Sequence, residues 1–582
     1  MSTIINYRNI RRNIIVLISL LALSNQVSAQ YRLDISSPDS SQTLEDAIKQ
    51  VRELRRLGSP LVENGAVIEL GNREFRLTKP LFLRPEDSGK RGAPTVIHGG
   101  TISGNMMLKD FKEVVIDGKK LWVCDAPKDG NRIVYTRQLW VNGKKALRAQ
   151  QFPKGMMARM IDFDKENHTI TIPTPNRNYK LDPANSQLEM MVHQRWAIAI
   201  LRIKDMQSDG DKTVVTFHEP ESQLEFAHPW PQPVIGGEKG NSSFCLLNSM
   251  EFLNEAGEWY QEYPSGKIYY MPRMGETTSS VVAEIPHLET LVDMQGAEGR
   301  LLEHFSFEET TFTGASWYRP SLEGHVTLQG GFRMIDAYKL QEPGLFHNNN
   351  LENQAWIARP EAAVRVRYAD NITFADCNFN KLGATGLDFE SNVTLSTVAG
   401  CNFEDIGGTA VMAGYFGENG WETHIPYLGQ NICDGLMITN NKVTDVTNED
   451  WGAVGIACGY VRNTYIDSNE VSKVNYSGIC LGWGWTALES GMRNNHIVNN
   501  TVRDYARQLY DAGGIYTLSN QPGSSITGNT ISAPFPAPYA TNERGFCIYF
   551  DEATDGFTVK DNKMPYESFG WNKPGPNMDV KY

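Results

Sequence analysis

Ile372-Thr-Phe…Cys377-Asn-Phe, Val393-Thr-Leu…Cys401-Asn-Phe, Met437-Ile-Thr-Asn-Asn441-Lys-Val and Tyr465-Ile-Asp-Ser-Asn469-Glu-Val are variants of one phrase. It recurs as Ile497-Val-Asn-Asn500-Thr-Val, Ile526-Thr-Gly-Asn529-Thr-Ile and Val559-Lys-Asp-Asn562-Lys-Met, all within residues 371–564. A weaker copy is Phe305-Ser-Phe-Glu-Glu-Thr310-Thr-Phe. From Cys377 onward equivalent positions lie 24, 40, 28, 31, 29 and 33 residues apart, a repeat with loops of variable length. A second apolar beat follows in Gly386-Leu, Gly455-Ile, Gly478-Ile, Gly514-Ile and Cys547-Ile. Short strands, polar corners and a fixed period predict stacked coils of a right-handed parallel β-helix, so the fold class is all-β. Asn in register can bond both the corner backbone and the Asn of the next coil, which explains a polar residue at a buried turn. A β-propeller or sandwich is the competing architecture, and the columnar Asn argues against it.

Upstream, the chain divides into further parts. Residues 1–29 read as a secretory signal peptide: Arg8, Arg11 and Arg12, then apolar Ile14 to Leu23, then Val27-Ser-Ala29. The ten-residue apolar run is too short for a membrane span, so an exported soluble protein, periplasmic or extracellular, is expected. Residues 30–120 should hold an N-terminal cap and the first coils. Thr43-Leu-Glu-Asp46 opens a helix like a capping box, and Leu44, Ala47, Ile48, Val51 and Leu54 share one face. Such a helix can cover the open end of a solenoid, whose bare strand edge would otherwise recruit other strands. Between 121 and 274 the repeat vanishes into alternating strands broken by Gly, Asn and Pro, which predicts an inserted β-rich module. Its Trp230 and Trp259 are expected in its core. The main solenoid then occupies 275–582. Two long excursions, Thr313 to Glu361 and Gly414 to Asn431 with Trp421, Glu422, His424 and Tyr427, should leave the scaffold and wall a cleft.

Without the first 29 residues, 52 basic side chains face 68 acidic ones, a net charge of −16. That balance argues against nucleic acid or an anionic membrane as partner. Neutral glycans are easier targets than anionic ones. Cys377 and Cys401, in the ladder position of adjacent coils, are expected to be stacked thiols behaving as small hydrophobes rather than a disulfide. No His/Cys spacing suggests a metal site, and neither metal nor cofactor is expected. Nothing in the sequence calls for more than a monomer.

Candidate chemistry concentrates near the C-terminal end. Asp511-Ala-Gly-Gly-Ile-Tyr516 and Ile548-Tyr-Phe-Asp551-Glu552 fall on consecutive coils, preceded by Tyr476-Ser-Gly-Ile-Cys-Leu-Gly-Trp483-Gly-Trp485. Aromatic faces stack on sugar rings, Gly admits ligand to the backbone, and two carboxyl groups divide acid from base or nucleophile. Asp511 and Asp551 are therefore the catalytic candidates. His424, Tyr476, Trp483, Trp485, Tyr516 and Glu552 are the substrate-binding candidates. Inward-facing Ile479 and Leu481 would carry Trp483 inward too, unless Gly482 or Gly484 turns the chain. Stacking Ile515 on Ile548 sets the two Asp seven residues apart, roughly 23 Å if extended, against ~5–10 Å for glycosidase pairs. A bend at Gly513-Gly514 would shorten this; without one, Glu552 or Glu543 replaces a member of the pair.

Glu422-Thr-His-Ile-Pro-Tyr427, Tyr476-Ser-Gly-Ile, Gly482-Trp-Gly-Trp485, Asn495-His-Ile, Asp511-Ala-Gly-Gly-Ile-Tyr-Thr and Gln521-Pro-Gly together resemble family 141 of the glycoside hydrolases. Val141-Asn-Gly, Gly257-Glu-Trp-Tyr and Tyr269-Tyr-Met-Pro are similar to that family's inserted region. The resemblance implies a β-helix enzyme of plant cell-wall breakdown, either an α-L-fucosidase acting on the pectin rhamnogalacturonan-II or a xylanase. It carries the family's two carboxylates onto Asp511 and Asp551. Ala512 stands where related sequences often have Gly. Two other classes remain open at this level. A β-helix polysaccharide lyase would use a cation such as Lys473, Arg503, Arg507 or Arg544 as base, and a non-catalytic glycan-binding solenoid would need no carboxylate.

Overall fold

The computed structural model describes residues 30–581 apart from 185–186, 229, 264, 337–354, 419–421, 425–428 and 430. The signal-peptide reading, Trp421 and Tyr427 lie outside the described residues.

From Val292 the chain winds through coils of three short strands, each strand pairing in parallel with its equivalent one coil on. The first face runs Leu302–Glu308, then the end of Ala362–Ala375, Thr397–Ala399, Met437–Thr439, Tyr465–Asp467, His496–Val498, Asn520–Thr527 and Asp555–Lys560. The second face passes from Thr311–Ala315 through Asn378–Leu382 and Lys442–Val446 to Thr530–Ile531. The third stacks Leu387, Val411, Ile456, Ile479, Ile515 and Ile548 in one column. This is a parallel β-helix with the register read from the repeat, and even the weak copy falls in place, with Phe305 on Ile372 and Phe312 on Phe379.

The corner between the first two faces explains the phrase. Asp376, Asn440, Ser468, Asn499 and Asp561 all sit at φ between +51° and +58°, with Gly400 and Gly528 at the same place in their coils. A left-handed residue turns the chain, and Asn and Asp tolerate it better than most. The next residue then points inward. Nδ2 of Asn441, Asn469, Asn500 and Asn529 donates to Oδ1 of the following Asn at 2.9–3.0 Å, ending on Asn562. Each Oδ1 also accepts the preceding Asn's backbone N–H, and each Nδ2 also reaches a first-face carbonyl. In the two preceding coils the position is Cys, and Cys377 and Cys401 are buried free thiols, as are five of the other six cysteines; Cys480 is a partly buried free thiol. Inside the prism Phe312, Phe379 and Phe403 stack at 4.8 and 4.6 Å.

The helix Leu44–Arg56 has its capping box, Thr43 and Asp46 bonding each other's backbone, and buries Leu44, Ala47, Ile48 and Val51 over the first strands. Strands Ala66–Arg76, Leu81–Leu83 and Thr95–Ser103 begin the solenoid. The chain then departs. Asn105–Leu108 and Ala283–Pro286 pair antiparallel at the edge of an eight-stranded sheet, so the solenoid resumes only at Val292. A second insert sheet contains Glu189–Gln194 and Ala197–Asp209, and it captures the hairpin His325–Gln329/Phe332–Asp336 from the first long excursion. The insert is pinned to the solenoid by Trp140 Nε1 donating to Asp405 (2.6 Å), Lys145 pairing with Glu449 (2.7 Å) and His193 Nε2 at 2.8 Å from the Gln508 carbonyl. Trp259 is core, as expected of a lone aromatic; Trp230 is not, being 37% exposed.

Candidate active site

Where the insert lies over the third face of the last coils, it leaves a cavity of about 650 Å³. Its floor is built by alternation. On the paired strands Ala512–Thr517 and Gly545–Phe550, Ile515 and Ile548 point into the prism, so Tyr516 and Tyr549 point out, side by side. Their rings meet edge to face, centroids 5.2 Å apart.

These two tyrosines join the catalytic candidates. Tyr549 Oη donates to Asp511 Oδ1 at 3.1 Å, and Tyr516 Oη donates to Asp551 Oδ2. Asp511 precedes its strand and Asp551 follows its own, yet both line the same cavity. Two features fold the extended path. Asp511 is left-handed at φ +58°, and a Cβ on Gly513 would lie 2.6 Å from the Ile515 carbonyl oxygen, which a straight strand would hold far away. The bend at the glycine pair is therefore present. Glu543, the outlying substitute, is instead an exposed partner of Lys239.

The two carboxyls have different surroundings. Asp511 is ion-paired with Arg544 at 3.2 Å, and Arg544 also donates to the Tyr549 hydroxyl at 3.2 Å. Burial raises the Asp511 pKa, with Arg544, the Tyr549 bond and Arg195 opposing. Among the described residues Asp551 makes no ion pair. Asn572 Nδ2 donates to its Oδ1 at 2.6 Å, and burial, with a contribution from the charge of Asp511, pushes its pKa up to about 6. Burial and the neighbouring carboxylates hold the tyrosines well above their usual range, so they act as donors.

Around this floor the other expected residues distribute unevenly. Tyr476, Trp485, His424 and Glu552 line the cavity. Tyr476 bonds the Asp511 carbonyl at 3.2 Å, His424 Nδ1 sits 2.7 Å from Glu422 Oε1, and Glu552 pairs with Lys573 at 2.8 Å. Trp483 departs from the expectation. It is 3% exposed, packed behind the wall against Phe332 and Phe416, and 4.9 Å from the Trp485 ring. Gly482 at φ +105° ends the alternation of Ile479 and Leu481 before Trp483, and Gly484 at φ +95° turns the chain again before Trp485. Opposite the floor stand Arg195, Trp196 and Trp230 of the insert with Leu328 and Gln329 of the captured hairpin. Sequence reading missed Arg195, Trp196, Asn572 and Lys573. The one available signal was Arg-Trp between two strand segments, in a slot that usually takes small turn residues.

Among the described residues no cluster of His, Cys, Asp or Glu could hold a metal ion, and no helix is long and apolar enough to cross a membrane. The paired carboxyls and flanking aromatics are groups suited to cleaving a glycosidic bond.

Residues 119–273 match the family model described as the GH141 insertion domain. No curated protein matches the chain. A solved structure named "Glycoside hydrolase" is 37% identical, covers 95% of this chain and 96% of its own, and superposes with a TM-score of 0.90. A xylose complex of XylC is 10% identical over 92% of this chain and 70% of its own, with a TM-score of 0.45. The A-module of the Azotobacter vinelandii mannuronan C-5 epimerase AlgE4 is 12% identical over 50% and 77%, with a TM-score of 0.27. On the 37%-identical relative and the insertion-domain match, this chain belongs to glycoside hydrolase family 141.

Proposed function

We propose that this glycoside hydrolase removes an α-L-fucosyl residue from pectic side chains, with Asp551 as general acid and Asp511 as the ionised partner. The observation that carries the assignment is that two buried carboxyls face one cavity in contrasting environments. Asp551, raised by burial to about 6 despite its hydrogen bonds from Tyr516 and Asn572, supplies the proton to the leaving oxygen. Asp511, whose burial-raised pKa is opposed by the Arg544 ion pair, is the partner that attacks the anomeric carbon or activates water. Tyr549 fixes the orientation of Asp511, and Tyr516 and Asn572 that of Asp551. A walled cavity rather than an open groove suits a terminal residue. Leu328 and the Trp485 face offer apolar surface to the methyl group of a 6-deoxy sugar, and a neutral sugar avoids the two carboxylates.

The test is product analysis on an aryl α-L-fucoside, pectic oligosaccharides and xylan. Free fucose is expected. Xylose or xylo-oligosaccharides would replace the substrate, an ultraviolet-absorbing unsaturated uronate would mark a lyase, and no product from any would leave a binding protein. Asp511→Asn and Asp551→Asn should each lower kcat at least ~100-fold while the protein stays folded. Near-normal turnover in either variant removes that residue from the mechanism.

A further inference from the structure

The cavity contains three cations, and two are already paired: Arg544 with Asp511 and Lys573 with Glu552. Arg195 differs. Among the described residues no carboxylate lies within ion-pair distance of it and its side chain donates no hydrogen bond, while its Nε is buried without a partner. Arg195 lines the cavity, so its unpaired guanidinium is left available to an anionic ligand there.

Its position is costly. Gln194 pairs with Ala197, so Arg195 and Trp196 alone form a two-residue hairpin turn, with Arg195 at φ +64°. That slot favours Asn or Gly, and a large side chain there is strained by about 1 kcal/mol. The turn nevertheless carries two of the largest side chains and presents both to the cavity. Both are held in place. The Trp196 indole donates to the Leu328 carbonyl at 2.9 Å and lies near-parallel to Trp230 at 6.3 Å. The Arg195 guanidinium sits 4.9 Å over the Trp230 ring. A planar fork of donors fixed on an aromatic wall matches a carboxylate bidentately, while the indoles take the face of the sugar that bears it.

We propose that Arg195, with Trp196 and Trp230, forms a subsite for a uronic acid residue of the substrate, next to the neutral sugar that is cleaved. This rests on the glycosidase reading of the same cavity. It also reconciles an acidic protein with an acidic polymer, because the attraction is confined to one guanidinium opposite the catalytic floor.

Calorimetric binding to the Asp551→Asn protein tests the subsite without turnover. The probes are an aldobiouronic acid and its carboxyl-reduced counterpart. The acid should bind at least tenfold more tightly, by a margin that shrinks with salt. Arg195→Met should abolish that preference and Arg195→Lys should retain part of it, with thermal unfolding confirming that each variant folds. Equal affinity for the two probes, no binding of either, or a preference surviving in Arg195→Met would overturn the proposal. Selective binding by a protein that releases no fucose would discard the fucosidase reading and leave the subsite standing.

Discussion

At the scale of single residues, the site is a contest between burial and compensation, and two carboxyls in one cavity resolve it differently. Removing the compensation should be visible as a shift on one limb of the pH profile. Arg544→Met takes away the cation that opposes the burial of Asp511, so the Asp511 pKa should rise. The acid limb of kcat/KM should then move to higher pH and narrow the bell; an unmoved acid limb would dissociate Asp511 from that limb. Asp551 makes the converse point about stability. Its folded pKa of about 6 lies above the ordinary carboxylate value, so its contribution to stability is full below pH ~4 and is lost as pH rises through 6. The charged form therefore destabilises the folded protein by about 3 kcal/mol at most at neutral pH. Asp551→Asn should raise the unfolding temperature at pH 7.5 and do less at pH 4.5. An equal change at both values would mean that charge burial is not the cause.

At the scale of elements, the ladder of Asn441 to Asn562 shows why so much of the fold was legible in the sequence. A solenoid repeats its physics every coil, so a left-handed corner followed by an inward Asn leaves a written trace at each turn. The same alternation that placed Ile515 on Ile548 fixed Tyr516 and Tyr549 outward. It stops before Trp483, where Gly482 and then Gly484 both take positive φ, so strand alternation no longer decides which way either tryptophan faces. Trp230, by contrast, had no column to betray it, since its exposure depends on how the insert meets the solenoid. The ladder itself should be graded in strength. Asn500 gives two hydrogen bonds and accepts two, all buried, so Asn500→Ala leaves several partners unsatisfied and should cost about 2–4 kcal/mol. Asn562, half-buried at the end of the column, should cost less on the same change. Chemical denaturation of the two variants checks the order, and equal costs would mean that the ladder is not cooperative along its length.

At the scale of the whole molecule, neither part owns the site. The solenoid supplies Asp511, Asp551 and their tyrosines, and the insert supplies the wall of Arg195, Trp196 and Trp230. This explains why the sequence pointed to the carboxyls and not to their cover: the floor follows a repeat of about thirty residues, whereas the cover arrives from residues more than 250 positions earlier. It also predicts how the two parts communicate. Burial is the largest cause of the raised Asp551 pKa, and the wall closes the cavity that Asp551 lines. Opening the wall with Trp196→Ala and Trp230→Ala together should admit water, lower that pKa toward the ordinary carboxylate range and pull the alkaline limb of kcat/KM to lower pH. The acid would then be less protonated at neutral pH, and turnover there should fall although no group that touches the scissile bond has changed. The double variant keeps the hairpin and its pairing, so far-ultraviolet circular dichroism should match the parent. If turnover fell with the alkaline limb unmoved, the tryptophans would serve substrate contact alone, and the acidity of Asp551 would be set by the solenoid without help from the insert.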